Sequence, residues 1–265
     1  MPSPIDPRTG PRPDATAYDP RVERVGSGPP LVYVPGIDGT GRLLYRQTPR
    51  LQERHTVVTY RLRDDATAMD TLIADLDRVL DAVEDLGPPT LVGESFGGAL
   101  ALSYALARGE RIHRLVILNS FATLRPRLNL TLAAWGLEKL PWQAMARMRR
   151  LAAFRLHSPH TPRAERERFH AVMEETTRTG YVNRLRILAN HDVRDRLPQL
   201  DVPTLFLAAD RDHLVPAVRQ GRMMERSTPD SRLEILEGHG HICLIAPDLD
   251  LAALLTRWER ERSAH

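Results

Sequence analysis

An α/β fold, with a mostly parallel central sheet, helices on both faces and an inserted helical cap, is predicted by three features of this sequence. Short apolar runs alternate with longer amphipathic stretches. A glycine-flanked serine stands where one such run gives way to a helical pattern, and one interval of about eighty residues holds helical patterns without a strand. The length of 265 residues suits one such domain carrying an insertion. With 42% hydrophobic and 27% charged residues, a large core can be buried under a wetted surface.

The expected organisation is a proline-rich, loosely held arm over 1–20, a core over 21–120 and 202–265, and the cap over 121–201. From Val22 onward the runs Leu31–Val34, Thr56–Tyr60, Thr90–Val92, Leu115–Leu118, Thr204–Ala208 and Leu233–Leu236 read as buried parallel strands. Between the second and third, Met69, Leu72, Ile73, Leu76, Val79, Leu80, Val83 and Leu86 recur every three or four residues. That spacing predicts one helix, capped by Asp70 or Thr67 and stopped by Gly87-Pro88-Pro89. Further helices are expected from Ser95 to about Arg108 and from about Asp248 to Arg260.

Composition removes several function classes. The 37 basic and 34 acidic residues nearly balance, and no compact basic run with interleaved aromatics occurs, so nucleic-acid binding is not expected. Lys139 is the only lysine, and the arginine bias reads as composition and not as phosphate recognition. Neither an apolar run of about 18 residues nor an apolar segment in Met1–Pro20 is present, so no membrane span, no secretory signal and a cytoplasmic location are expected. Cys243 is the single cysteine, which excludes an internal disulfide and any cysteine-clustered metal site.

Chemistry concentrates in four places. Thr90-Leu91-Val92 runs into Gly93-Glu94-Ser95-Phe96-Gly97-Gly98, a G-x-S-x-G motif between a strand and a helix. A sharp turn there lifts the serine hydroxyl above the sheet, at a helix N-terminus whose free amides favour negative charge. A hydroxyl is a poor nucleophile at neutral pH, so Ser95 needs a histidine base and a carboxylate to orient it. Both follow downstream, each with a neighbour competing for the role: Asp210 and Asp212 after one strand, His239 and His241 after the next. Asp212 is favoured because it stands further into its loop, with Asp210 expected to bond its own turn. His241 is favoured because Ile242-Cys243-Leu244-Ile245 can fix the ring beside the core, with His239 expected in a wet loop. Backbone amides of Phe96 and Ile37 are the expected oxyanion donors. The loop Pro35-Gly36-Ile37-Asp38-Gly39-Thr40-Gly41 matches no nucleotide-binding pattern, and no cofactor or metal is expected.

With these motifs the chain resembles the α/β-hydrolase superfamily from about Val22 to Arg260. The loop from Pro35 to Gly41 and the run Leu91 to Gly98 are also similar to the hydrolase part of plant phytyl ester synthases and related esterase/acyltransferase proteins. Pro35 stands where many members place a histidine. The resemblance implies an α/β-hydrolase fold with the order Ser95, Asp212, His241. The expected activity is carboxylic ester hydrolysis on a small-molecule substrate, with Trp135, Trp142, Met145, Met148 and Phe154 as candidates to bind a hydrophobic acyl or alkyl group of medium length. Arginines between them offer the alternative of a carboxylate-bearing substrate. Acyl transfer to an alcohol and thioester hydrolysis use the same triad, and a hydrolase-fold ligand-binding receptor is the alternative from another class.

Overall fold

The computed structural model describes residues 20–124, 127–139 and 156–264. Most of the expected arm, and Trp142, Met145, Met148 and Phe154, lie outside the described residues. In chain order the elements are β1 (Glu23–Val25), β2 (Pro30–Val34), α1 (Thr48–Leu51), β3 (Thr56–Thr59), α2 (Met69–Asp81), β4 (Thr90–Glu94), α3 (Phe96–Arg108) and β5 (Arg114–Leu118). There follow α4 (Arg127–Lys139), α5 (Arg163–Glu174), α6 (Arg178–Asn190), β6 (Thr204–Ala209), α7 (Ala217–Ser227), β7 (Ser231–Leu236) and α8 (Leu251–Ser263).

One seven-stranded sheet runs in the order β1-β3-β2-β4-β5-β6-β7, with β1 antiparallel to β3 and every other pair parallel. The six apolar runs are the six parallel strands. Their residues alternate between faces: Val32 and Val34 pack with α2 and α3 on one side, Leu31 and Tyr33 with Leu251, Leu255 and Trp258 of α8 on the other. Burial on both faces explains the apolar runs of β2, β4, β5 and β6, while the edge strand β7 is only partly buried and carries Arg232 and Glu234.

Several boundaries differ from the sequence reading. The predicted helix over 69–86 ends at Asp81, and a separate 3₁₀ turn covers Glu84–Leu86. Its N-cap is the extended Ala68, which makes no side-chain cap bond, while Asp70 sits in the first turn, where a carboxylate complements the helix dipole. The C-terminal helix starts later than expected, at Leu251, because the Asp250 carboxylate accepts from the Ala253 amide and caps it there. The edge strand β1 and helix α7 escaped notice: the first is three residues long, and α7 is polar except along one narrow face.

The segment joining β5 to β6 carries α4, α5 and α6, and among its described residues no strand joins the sheet. Ala134 and Leu137 of α4 pack on Val182 and Leu185 of α6, and the side chain of Ile37 lies against this cluster. The insertion therefore rests directly on the loop that follows β2. No helix among the described residues is long and apolar enough to cross a membrane.

Candidate active site

Parallel strands deliver all their C-terminal loops to one edge of the sheet, where open α/β sheets hold their ligands. The loops after β2, β4, β6 and β7 carry Ile37, Ser95, Asp212 and His241 respectively.

Ser95 stands between β4 and α3 with φ 54° and ψ −116°, one of two described non-glycine residues at positive φ. That strained geometry is held from several sides. The Ser95 amide donates to Leu118 O at 3.0 Å, and its carbonyl accepts from the Ser120 hydroxyl at 2.6 Å. Gly97 is forced by close approach, since a Cβ there would lie 2.0 Å from the Val34 carbonyl oxygen and 2.5 Å from that of Pro35. The first turn of α3 thereby lies directly against the loop after β2.

A hydrogen-bonded chain leads away from the serine. Ser95 Oγ lies 3.0 Å from His241 Nε2, and His241 Nδ1 lies 2.7 Å from Asp212 Oδ2. The carboxylate accepts only, so Nδ1 carries the proton, which leaves Nε2 free to accept from the hydroxyl. Both side chains are buried, His241 at 6% and Asp212 at 1% exposure. Asp212 Oδ1 accepts from the amides of Leu214 and Val215 at 2.8 and 2.9 Å, which fixes the carboxylate before the histidine reaches it.

The competing neighbours have other partners. Asp210 bonds across to the histidine loop, its Oδ1 accepting from the Gly238 amide at 2.7 Å, and not to its own turn. His239 is buried and not in a wet loop. Its Nδ1 lies 3.0 Å from the Ser158 hydroxyl, and burial lowers its pKa. Ser158 Oγ also accepts from the Gly240 amide at 3.2 Å, and Leu156 O accepts from the Ile242 amide at 2.8 Å. The histidine-bearing loop is thus braced by residues of the insertion.

Sequence reasoning missed a second brace, Asn119, fully buried at the end of β5 with φ 46°. Its Nδ2 donates to His241 O at 2.9 Å and Gly240 O at 3.3 Å, and its Oδ1 accepts from the Ala209 amide at 2.7 Å. One side chain ties the loop of His241 to the strand that leads to Asp212. The available signal was an asparagine, tolerant of the left-handed region, directly after the apolar run Leu115–Leu118.

The proposed oxyanion loop is tightly turned. The Gly39 amide donates to Gly36 O at 3.0 Å, so Gly36 O points into the turn. In a trans peptide the following N–H points the opposite way, which directs the Ile37 amide out of the turn. The Asp38 carboxylate is buried and accepts from the Thr40 amide and hydroxyl at 2.8 and 2.5 Å. As the first residue of α3, Phe96 has an amide with no acceptor inside its helix. Of the substrate-binding candidates only Trp135 is described; it is 61% exposed on α4, while Ala134 and Leu137 beside it turn inward.

Behind Ser95, Glu94 is buried and accepts from the Tyr33 hydroxyl at 2.9 Å. Burial pushes its carboxyl up from 4.5 to about 7, against the opposing pull of His241. Between pH 4.5 and 7 the folded chain therefore holds a proton that the unfolded chain has released, so this group's contribution to stability falls as pH rises through that window. Replacing Glu94 by Gln keeps an acceptor for Tyr33 and removes the charge. Urea unfolding at pH 5 and pH 8 is expected to show the variant gaining about 2–3 kcal/mol on the parent between the two. An equal difference at both pH values would show that Glu94 ionises as freely in the folded chain as in the unfolded one.

Comparison with known proteins agrees with this architecture. Residues 29–246 match the alpha/beta hydrolase fold family. Among curated relatives, a putative carbamate hydrolase (RutD) of Azorhizobium caulinodans is 29% identical over 257 residues, 89% of this chain and 92% of the relative. The corresponding protein of Agrobacterium fabrum is 27% identical over 86% of this chain and 92% of its own length. The polyketide synthase ThaQ of Burkholderia thailandensis is 27% identical over 83% of this chain, which spans 11% of the synthase. An esterase from Thermogutta terrifontis superposes with a TM-score of 0.80 at 21% identity, covering 91% of this chain and 93% of its own. One from Exiguobacterium antarcticum does so at 0.76 and 23%, covering 92% and 94%. By its sequence match over most of its length and by its sheet, this chain belongs to the alpha/beta hydrolase fold family.

Proposed function

We propose that this protein is a serine hydrolase that cleaves carboxylic esters through an acyl-enzyme on Ser95. The observation that carries this reading is the hydrogen-bonded chain from Ser95 Oγ through His241 to the buried Asp212 carboxylate. His241 Nε2 takes the hydroxyl proton as Ser95 Oγ attacks the ester carbonyl, and Asp212 stabilises the imidazolium that forms. The amides of Ile37 and Phe96 receive the oxyanion. Collapse of the tetrahedral intermediate expels the alcohol, which takes its proton from His241; a water molecule then gives a proton to His241 and attacks the acyl-enzyme, and His241 returns that proton to Ser95 Oγ as the acid leaves.

Labelling tests the reading. A fluorophosphonate is expected to add once per chain, on Ser95, and a label on any other residue overturns the assignment. Cys243 is not a competing nucleophile, since it is fully buried and burial pushes its thiol up. The names of the relatives add carbamates to the substrates worth assaying, and the same acyl transfer serves them.

For the acyl or alkyl group we propose a hydrophobic chain of medium length held under the insertion. Each buried methylene contributes about 0.8 kcal/mol, so hexanoyl is expected to exceed acetyl by tens to hundreds of fold in kcat/KM. The measurement is a nitrophenyl ester series from acetyl to dodecanoyl, with a succinyl monoester alongside. A flat profile or an acetyl optimum would remove the apolar pocket, and a succinyl preference would point to the arginines instead.

A further inference from the structure

Arg184 lies on α6, inside the insertion, yet its side chain is only 2% exposed. Its guanidinium reaches two loops of the core. Nη1 donates to the carbonyls of Ile37 and Asp38 at 3.2 and 3.3 Å. Nη2 donates to the carbonyls of Leu62 and Arg63 at 3.4 and 3.3 Å and to Asp64 Oδ1 at 2.8 Å. The approach leaves no free room for a Cβ at two glycines. A Cβ on Gly39, where φ is +70°, would lie 2.3 Å from Arg184 Nη2, and one on Gly180 would lie 2.1 Å from Asp64 Oδ1. The Ile37 side chain independently packs under α4 and α6.

These contacts close the Gly36–Gly39 turn from both sides. The Gly39 to Gly36 bond orients the peptide that carries the Ile37 amide, and Arg184 holds the next two carbonyls, so that peptide has no freedom to rotate. A donor fixed before the reaction needs no reorganisation when charge develops on the substrate oxygen. We propose that Arg184 is a positioning residue through which the inserted helices set the oxyanion-binding amide of Ile37, an inference that rests on the ester-hydrolase reading above. A buried cation on five oxygen acceptors suits this task, because a planar guanidinium can hold several carbonyls in one geometry whereas an ammonium cannot.

The test compares Arg184→Met and Arg184→Lys with Arg186→Met, a neighbour on α6 whose loss breaks an exposed ion pair to Glu138 of α4. Three quantities are read at a temperature where every variant is folded: kcat and KM for a nitrophenyl ester, the affinity for a trifluoromethyl ketone that adds to Ser95, and amide hydrogen exchange over residues 36–41. Arg184→Met is expected to lower kcat by about 10- to 100-fold with KM little changed, to weaken the ketone by a similar factor, and to speed exchange over 36–41. Arg184→Lys should fall between it and the parent, and Arg186→Met should match the parent. A higher KM at unchanged kcat would make Arg184 a substrate contact, and a loss of stability alone would make it purely structural; either overturns the proposal, as does unchanged exchange. A parent that cleaves no ester, with exchange still faster in Arg184→Met, would instead overturn the ester-hydrolase reading and leave the clamp standing.

Discussion

Replacing Ser95 by Ala is expected to lower ester turnover by about 10⁶-fold while leaving the melting temperature close to that of the parent. The size follows from the chemistry, since without Oγ no acyl-enzyme forms and what remains is the attack of water assisted by the oxyanion donors and binding. Stability should hold because Ser95 is anchored by its backbone. Its amide bonds Leu118 O and its carbonyl accepts from Ser120, and neither bond needs the hydroxyl. The backbone at φ 54° costs alanine about what it costs serine, as both carry a Cβ. The measurement is single-turnover and steady-state hydrolysis of an activated ester beside fluorophosphonate labelling. A variant that keeps more than a few per cent of its rate would place the nucleophile elsewhere.

The second large effect separates the paired candidates. Asp212→Asn is expected to cost about 10⁴-fold in kcat, because an amide can donate to Nδ1 and turn the imidazole to the tautomer that no longer accepts from Ser95. His241→Ala should cost still more, approaching the loss from Ser95→Ala. Asp210→Asn should cost less than about tenfold, because its role is to accept from the Gly238 amide, and an asparagine oxygen does that too. His239→Ala breaks the contact with Ser158 and leaves a cavity under the insertion, so it should lower thermal stability more than rate. The readouts are kcat and melting temperature for all four variants. A reversed ranking within either pair moves the role to the neighbouring residue.

Local regularities make much of this molecule legible in its sequence. The inner parallel strands are readable because burial on both faces leaves an apolar run, and the partly exposed edge strand β7 because Leu233, Ile235 and Leu236 stay apolar around Glu234. The nucleophile turn is readable because Gly93 and Gly97 are demanded by close backbone contact, which leaves a glycine two residues to either side of Ser95. The periodicity predicts helix α2 but does not mark its ends. Ending at Asp81 depends on the 3₁₀ turn that follows, and starting after Ala68 depends on the chain leaving β3, neither of which a face pattern records.

Sequence by itself therefore determined the fold class, the strand-to-helix serine and the short list of aspartates and histidines near the ends of β6 and β7. Only the tertiary structure brings Asp212 and His241 into one hydrogen-bonded chain with Ser95, since a hydrogen bond depends on atoms placed within about 3 Å and such placement comes from elements far apart in the chain. Asn119 ties the loop of His241 to the end of the strand that leads to Asp212, which meets the imidazole, and His239 bonds Ser158 of the insertion instead. Arg184 left no mark at all in the sequence, being one arginine among many. Its burial against Ile37, Asp38 and Asp64 exists only once α6 is laid over the loop after β2, because the acceptors that offset the cost of burying its charge are mostly main-chain carbonyls that any sequence would supply.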